Sequence, residues 1–387
     1  MLEFTINSKE LNKLVTKANT AVDKKSPVIE FRSIFFQVDA NGVLKLTSTN
    51  MDHWLEVRTD IIWSYVPGVF GIEADDMKLI LKMSGEIHFK DISDADTNCI
   101  SVKCGKREIT VNKIFNTDIF MPDMDNTEAA VLETTKGWLS DTVTKLSIFV
   151  SHSETDKMMQ CINFNTQSER VTALDGYRIG MHKIVGQKIH AVQNNVNLNA
   201  VLATPVLKAV LDRKLDGEVV LSVDKKWIKI AGVDFTYMIR NVDGIYFNVD
   251  QMLSDRDKYS FTAKTESLLE SMKYNKDLVG KEKLPFTLHS QNGKLYSYVL
   301  VQKYEVLEEL EVKELRMNDD LFIGFNPNFW VDALSVADAD EVRIFGGTKI
   351  EPAMIYANEY SFLILPVRLN GTPDLINRMT KKFAKVA

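Results

Sequence analysis

Little in this chain has the residue types and spacing that chemistry needs. Ser151, His152, Ser153 and Glu154 could supply a nucleophile and a base, but sequence neighbours rarely face one another as such a pair must, so the stretch reads as a surface loop. The six histidines are scattered, and Cys99, Cys104 and Cys161 are odd in number, with no C-x-x-C or histidine-paired spacing. Neither a disulfide framework nor a zinc site follows, and the thiols read as reduced. "SDADTN", Ser93 to Asn98, lacks the glycine and terminal glutamate of a calcium loop. A phosphate-cradling glycine loop, a nucleophile elbow and a zinc-helix motif are missing as well. The expectation is a protein without catalysis, metal or cofactor.

Two patterns speak instead of binding. Lys9, Lys13 and Lys17 recur every four residues, with Leu11, Leu14, Val15 and Ala18 on the other side, so one helix should present a basic stripe above an apolar one. Lys78 and Lys82 repeat the spacing, and Lys136, Lys145, Lys208 and Lys214 follow less regularly. Such lysines on the outer face of an amphipathic helix can simply be solvated, or can meet phosphates without reading bases. The net charge of -6 argues against an outwardly basic molecule but leaves room for a local basic surface. The second pattern is "YSFLILPVRL", Tyr360 to Leu369, an apolar strand that runs into a proline and an arginine. Proline ends ladder pairing, and the apolar side chains around it leave a patch that a partner could cover.

The elements that carry these residues repeat. "LEFTINSKEL", "LETTKGWLSD" and "YSFTAKTESL" each read as a strand followed by an amphipathic helix, and Phe4, Leu132 and Phe261 lie 128 and 129 residues apart. A second echo, beginning at Gly71, Leu202 and Ile323, reads strand, helix start, apolar periodicity, turn, strand. Helix starts are marked by Asp75 and Asp76, by Thr204 before Pro205, and by Asn326 before Pro327. "VLKLTST" and "KWIKIAGV" alternate as half-buried strands do. The expected fold is α+β, with three repeated domains of two helices against antiparallel sheets: residues 1–125, 126–254 and 255–369, then an extension over 370–387. At 387 residues and 45% hydrophobic, the chain is too long for one core. With no apolar run long enough to span a bilayer and no signal-peptide pattern at "MLEFTINSKEL", a cytoplasmic location is expected.

A triplicated chain carrying "LDGYRIG", "VDGIYF", "IGFNPNFWVDAL" and a final "LPVRL" resembles the bacterial sliding clamp, the beta subunit of DNA polymerase III, over Met1 to Leu369. That resemblance implies the DNA clamp fold and a ring-shaped head-to-tail homodimer around double-stranded DNA. It further implies a non-catalytic processivity factor that holds the replicative polymerase, clamp loader and repair polymerases through short apolar peptide motifs. Matched by position, Leu363, Leu365, Pro366, Val367, Arg368 and Leu369 would form one wall of the peptide groove. Gly176, Tyr177, Arg178 and Ile179 would form another, with Met159 beneath, Phe247 and Met252 on the linker side, and Phe329 closing a second subsite. Leu174 stands where the family often has a small polar residue, and Phe247 where it has proline. Lys24 and Lys25 match basic DNA-contacting positions. Ile109 and Val111 would meet Leu278 and Val279 across the dimer interface, covering an apolar edge strand.

The extension places Leu375, Met379 and Phe383 every four residues beside Arg378, Lys381, Lys382 and Lys385. A short basic amphipathic helix is expected there, leaving from the groove wall and able to fold over it. A three-repeat protein-interaction scaffold that does not encircle DNA is the alternative reading.

Overall fold

The computed structural model describes residues 2–60, 65–94, 96–114, 117, 119, 121–124, 129–190, 195–211, 217–253, 258–282, 284–317, 322–369, 377, 378 and 381, without the side chains of 129 and 130. The chain forms two compact units, one of Met1–Thr144 with Gly186–Gly244, the other of Lys145–Val185 with Ile245–Ala387. Among the described residues six α-helices occur: α1 (Ser8–Ala18), α2 (Met77–Ile80), α3 (Lys136–Leu146), α4 (Ala200–Val210), α5 (Thr265–Val279) and α6 (Pro327–Val336). The named strand pairings are antiparallel, so the α+β reading with two helices per repeat holds.

The threefold repetition is written in the strand register. Phe4 pairs Phe89, Phe89 pairs Val102, and Val102 pairs Ile109. In the next repeat Leu132, Leu221, Ile230 and Tyr237 make the same series, and in the last Phe261, Ile344, Ile355 and Phe362 do so. All but Ile109 are buried, because alternate residues of a strand share one face and an apolar face fixes the register. Each repeat adds a hairpin of a second kind, closed across positions five apart: Thr49 with Trp54, Leu174 with Ile179, and Leu300 with Glu305.

The two kinds of half-sheet join edge to edge. In the first unit Phe235–Arg240 pairs His53–Asp60, with Ile239 opposite His53. In the second, Tyr360–Ile364 pairs Arg178–Lys183, with Ile364 opposite Arg178. The middle of the chain thus contributes strands to both units, which is why compactness divides the molecule in two while the sequence repeats three times. Among the described residues, Arg107–Asn112 pairs only Cys99–Cys104, and Glu305–Leu310 pairs only Lys294–Leu300. Among the described residues, these two edges, unlike the equivalent Phe235–Arg240 and Arg178–Lys183, have no second strand beside them.

Helix starts agree in part with expectation. Asn326 caps α6, accepting from the Asn328 amide at 3.0 Å with Pro327 at the first position. Helix α4 begins before Thr204, at Asn199, whose side chain accepts from the Leu202 amide at 3.3 Å and leaves Pro205 inside the helix. Buried Val206, Leu207 and Val210 outweigh the lost backbone bond. Helix α2 spans only Met77–Ile80, because the chain tightens into turns in which the Lys82 and Met83 amides reach back three residues. Lys82 therefore lies beyond the helix.

His53, at the first junction, is 4% exposed, and its Nδ1 shares a 2.9 Å hydrogen bond with Tyr237 Oη. Burial pushes the imidazole down to about 4, against a smaller upward pull from Asp52. The unfolded chain then takes up this proton first as pH falls, so stability present above about 6.5 should be lost between 6.5 and 4. This group alone should account for about 3 kcal/mol. Denaturant unfolding followed by Trp54 and Trp227 fluorescence at pH 7 and pH 5 should show the loss, and His53→Gln should flatten it.

Candidate functional site

The strand that ends the third repeat explains its own proline. Tyr360–Ile364 lies in the large sheet of the second unit, and Leu365 still donates its amide to the Tyr177 carbonyl at 2.9 Å. Two residues on, the Val367 amide bonds the Gly324 carbonyl of another sheet at 2.8 Å. Pro366 occupies the step between sheets, where an N–H has no ladder to join. Leu369 then packs over Gly324, its Cδ2 only 2.5 Å from where a Cβ on Gly324 would sit.

Beside this step lies a cavity of about 420 Å³, lined by Met159, Leu174, Gly176, Tyr177, Arg178, Ile179, Phe247, Gln251, Met252, Pro352, Leu363 and Leu365. Tyr177 is 64% exposed, Met252 43% and Leu365 37%, a degree of apolar exposure that marks a surface built to be covered. Ten residues expected from the sequence converge here. Pro366, Val367, Arg368 and Leu369 do not line the cavity and continue past its rim. Phe329 flanks it, stacked on Tyr177 with centroids 6.2 Å apart.

The turn that shapes the cavity is held from within. Asp175 Oδ1 accepts from the Tyr177 and Arg178 amides at 3.0 and 3.1 Å, and Gly176 sits at φ 87, which a side chain would strain. Arg178 is 9% exposed. Its Nε donates to Asp175 at 2.9 Å, Nη1 to Asp332 on α6, and Nη2 to the Ile148 carbonyl at 2.9 Å. The guanidinium also lies over Phe149 and Phe329, 5.2 and 4.7 Å from their centroids. Its charge is committed to the wall, so Arg178 positions the groove rather than offering a free cation. On the linker side, buried Tyr246 donates to the Cys161 carbonyl at 3.3 Å and meets Phe247 edge-on at 5.5 Å. Burial pushes the Tyr246 phenol well above its ordinary range, so it stays a neutral donor.

The first junction has the same frame, filled. Asn50 Oδ1 accepts from the Asp52 and His53 amides at 3.0 and 3.1 Å, and Met51, in Gly176's place, has φ 75. Trp54 stands where Ile179 does, meets Trp227 edge-on at 5.1 Å, and packs with Met238 under Met121 and Met124. Two tryptophans occupy the space that Ile179 and Pro352 leave open at the second junction.

The lysines divide sharply. Lys9, Lys13, Lys24, Lys25, Lys78, Lys82 and Lys208 are exposed. Lys13 reaches Glu10 at 3.5 Å and Lys78 reaches Asp75 at 2.8 Å, pairs too solvated to consume the charge. Helix α1 buries Leu11, Leu14, Val15 and Ala18 as its pattern requires. Lys136 and Lys17 are different, bound to Asp234 at 2.6 and 3.1 Å, with Lys136 only 6% exposed. Burial opposes ionisation of Asp234, but those hydrogen bonds and charges outweigh it and hold the carboxyl below its usual range. Lys145 lies over Tyr360 at 4.5 Å and reaches Asp338 at 3.6 Å. Lys17, Lys136 and Lys145 therefore serve the fold, and Lys214 lies outside the described residues. On the expected interface, Val111 and Val279 are 7% and 2% exposed within their own chain. Both belong to the core, leaving Ile109 and Leu278 half-buried at the surface.

Gln251 and Pro352 were invisible to pattern reading, since Gln251 ends the single 3-10 turn Val249–Gln251 and Pro352 lies just before the strand Ala353–Ala357, outside any periodic stretch. Asp332, the anchor of Arg178, had a signal: it is the acid inside the apolar run "NFWVDALSV".

Taken together, these features define a triplicated α+β clamp fold with an open apolar groove and a basic helix. The chain resembles the beta sliding clamps along its length: one from Pseudomonas aeruginosa is 20% identical over 374 residues, covering 95% of this chain and 100% of that protein. One from Rickettsia bellii is 23% identical over 394 residues, with the same coverage. Among solved structures, a putative DNA polymerase III beta subunit from Eubacterium rectale superposes with TM-score 0.86 at 20% identity, covering 95% of this chain and 100% of that one. The DNA polymerase sliding clamp from Bacillus subtilis gives 0.85 at 17%, covering 95% and 99%. No family model matches the chain.

Ile179→Trp, which installs the first junction's Trp54 in the second, should fill the cavity and leave the fold intact. Fluorescence titration with a labelled apolar pentapeptide should then show at least a tenfold loss of affinity, with unchanged circular dichroism.

Proposed function

We propose that this protein is a DNA sliding clamp, a non-catalytic processivity factor whose homodimer closes head to tail around duplex DNA. Its domains are residues 1–125, 126–254 and 255–369, with the extension 370–387 beyond. The observation that carries this reading is the pair of open sheet edges, left over after the chain has made the same junction twice. A head-to-tail contact that repeats an internal junction closes a ring and removes both edges.

Copying the register of the two internal junctions to the open edges sets Ile109 opposite Val306 of the second copy, and Arg107 opposite Glu308. Glu308 accepts from Ser271 through Oε1 at 2.6 Å, while its Oε2 is buried without a partner among the described residues. A buried carboxylate oxygen left unpaired is costly, and an arginine across the junction satisfies it. Leu278 stands outside this register.

Lys9, Lys13, Lys24, Lys25, Lys78, Lys82 and Lys208 supply the non-specific phosphate contacts that allow sliding. Of the third repeat's helices, α6 has no basic residue and α5 sets Glu266, Glu270 and Asp277 against Lys273 and Lys276, so attraction comes mainly from the first. The open groove takes short apolar segments of the replicative polymerase, clamp loader and repair polymerases, and its methionines adapt to several sequences.

Loaded onto nicked circular plasmid with a clamp loader and ATP, the protein should be retained through gel filtration and lost when the plasmid is linearised. Equal retention on both forms would contradict encirclement, and no retention with a competent loader would favour a scaffold. Arg107→Glu or Glu308→Arg alone should yield monomers by light scattering, and the two together should restore the dimer.

A further inference from the structure

In sequence, Asn377, Arg378 and Lys381 stand after the third repeat as the interdomain linkers stand after the first two. After the first repeat, Met121 and Met124 follow Val111 by ten and thirteen residues and cover the first junction, on Trp54, Trp227 and Met238. After the second, Val249 and Met252 follow the equivalent Ile239 by the same ten and thirteen; Val249 is 5% exposed and Met252 lines the groove of the second junction. Thirteen residues after Ile364, the third equivalent, the chain reaches Asn377 and then Arg378 and Lys381, described as helical and exposed. Leu375, Met379 and Phe383 lie outside the described residues. Arg378 and Lys381 line a cavity of about 710 Å³ with Glu282, Leu284, Leu300 and the turn Val301 to Glu305.

That turn is the third copy of the groove turn. The Val301 amide bonds the Tyr304 carbonyl at 2.9 Å, as the Asp175 amide bonds that of Arg178 at 3.3 Å. Leu300 stands in the place of Leu174 and Glu305 in that of Ile179. The apolar floor of the second junction has thus become an acidic one here, with Glu282 and Glu305 facing a basic segment, and Lys303 the one base on the body side. The described part of the extension lies at this pocket, and not at the groove over which it was expected to fold.

We propose that the segment carrying Arg378 and Lys381 is a clasp across the subunit junction: seated against Glu282 and Glu305, it covers the joint between Glu305–Leu310 and the edge Arg107–Asn112 of a second copy, as the two linkers cover the internal joints. This rests on the dimer reading above. A chain ending at Leu369 should dissociate about tenfold more readily at low salt, a difference that two solvent-exposed ion pairs supply, and the difference should shrink in high salt. Arg378→Glu with Lys381→Glu should reproduce the loss, and Glu282→Lys should partly rescue Arg378→Glu. Amide exchange over 301–305 should quicken in the truncated chain. A dimer of unchanged or greater strength after truncation overturns the clasp and leaves the dimer standing. A full-length chain that is monomeric throughout overturns both.

Discussion

A β-strand edge presents a row of N–H and C=O groups that water, a cover or another strand must satisfy, and this molecule is organised around that requirement. Each repeat builds two half-sheets, each with an edge suited to the next repeat. Twice the requirement is met within the chain, at Ile239 opposite His53 and at Ile364 opposite Arg178. The corresponding strands Arg107–Asn112 and Glu305–Leu310 are each paired on one side only among the described residues. In the proposed dimer, assembly is the same interaction as folding, carried between copies. On the Glu305–Leu310 edge, the Oε2 of Glu308 is buried without a partner among the described residues.

The same repetition explains why the groove at the second junction is open while the first is filled, among the described residues. The three hairpin turns share a backbone, yet what stands on it differs: tryptophans at the first junction, small aliphatics at the second, glutamate and tyrosine at the third. At the second, Arg178 draws the turn onto α6 through Asp332 and onto the Ile148 carbonyl, so the wall is rigid while Met159 and Met252 remain adaptable. A groove with a fixed polar frame and a soft apolar lining suits several partners in turn.

The repeats, the α+β class and most groove residues were legible because period and apolar alternation are local properties that burial then enforces. The stripe Leu11, Leu14, Val15 and Ala18 became the buried face of α1 for that reason. Other readings failed where a distant partner decides. Lys136 looked like Lys9 in sequence, but Asp234 draws it inside. Val111 and Val279 looked like surface anchors, but their own repeats bury them. The start of α4 was misplaced because Pro205 is a strong local signal that Asn199, with the apolar face behind it, overrides.

The central claim is that the two open edges pair with each other between copies in the register of the internal junctions. Cysteines placed at Ile109 and Val306, in a chain with Cys99 and Cys104 replaced by serine, test it through a short bis-maleimide cross-link resolved by denaturing electrophoresis. The account predicts efficient conversion to a doubly linked dimer, and little product when the cysteine at 306 is moved one position to Leu307. Absence of cross-linked dimer, or equal yield from both positions, would contradict it.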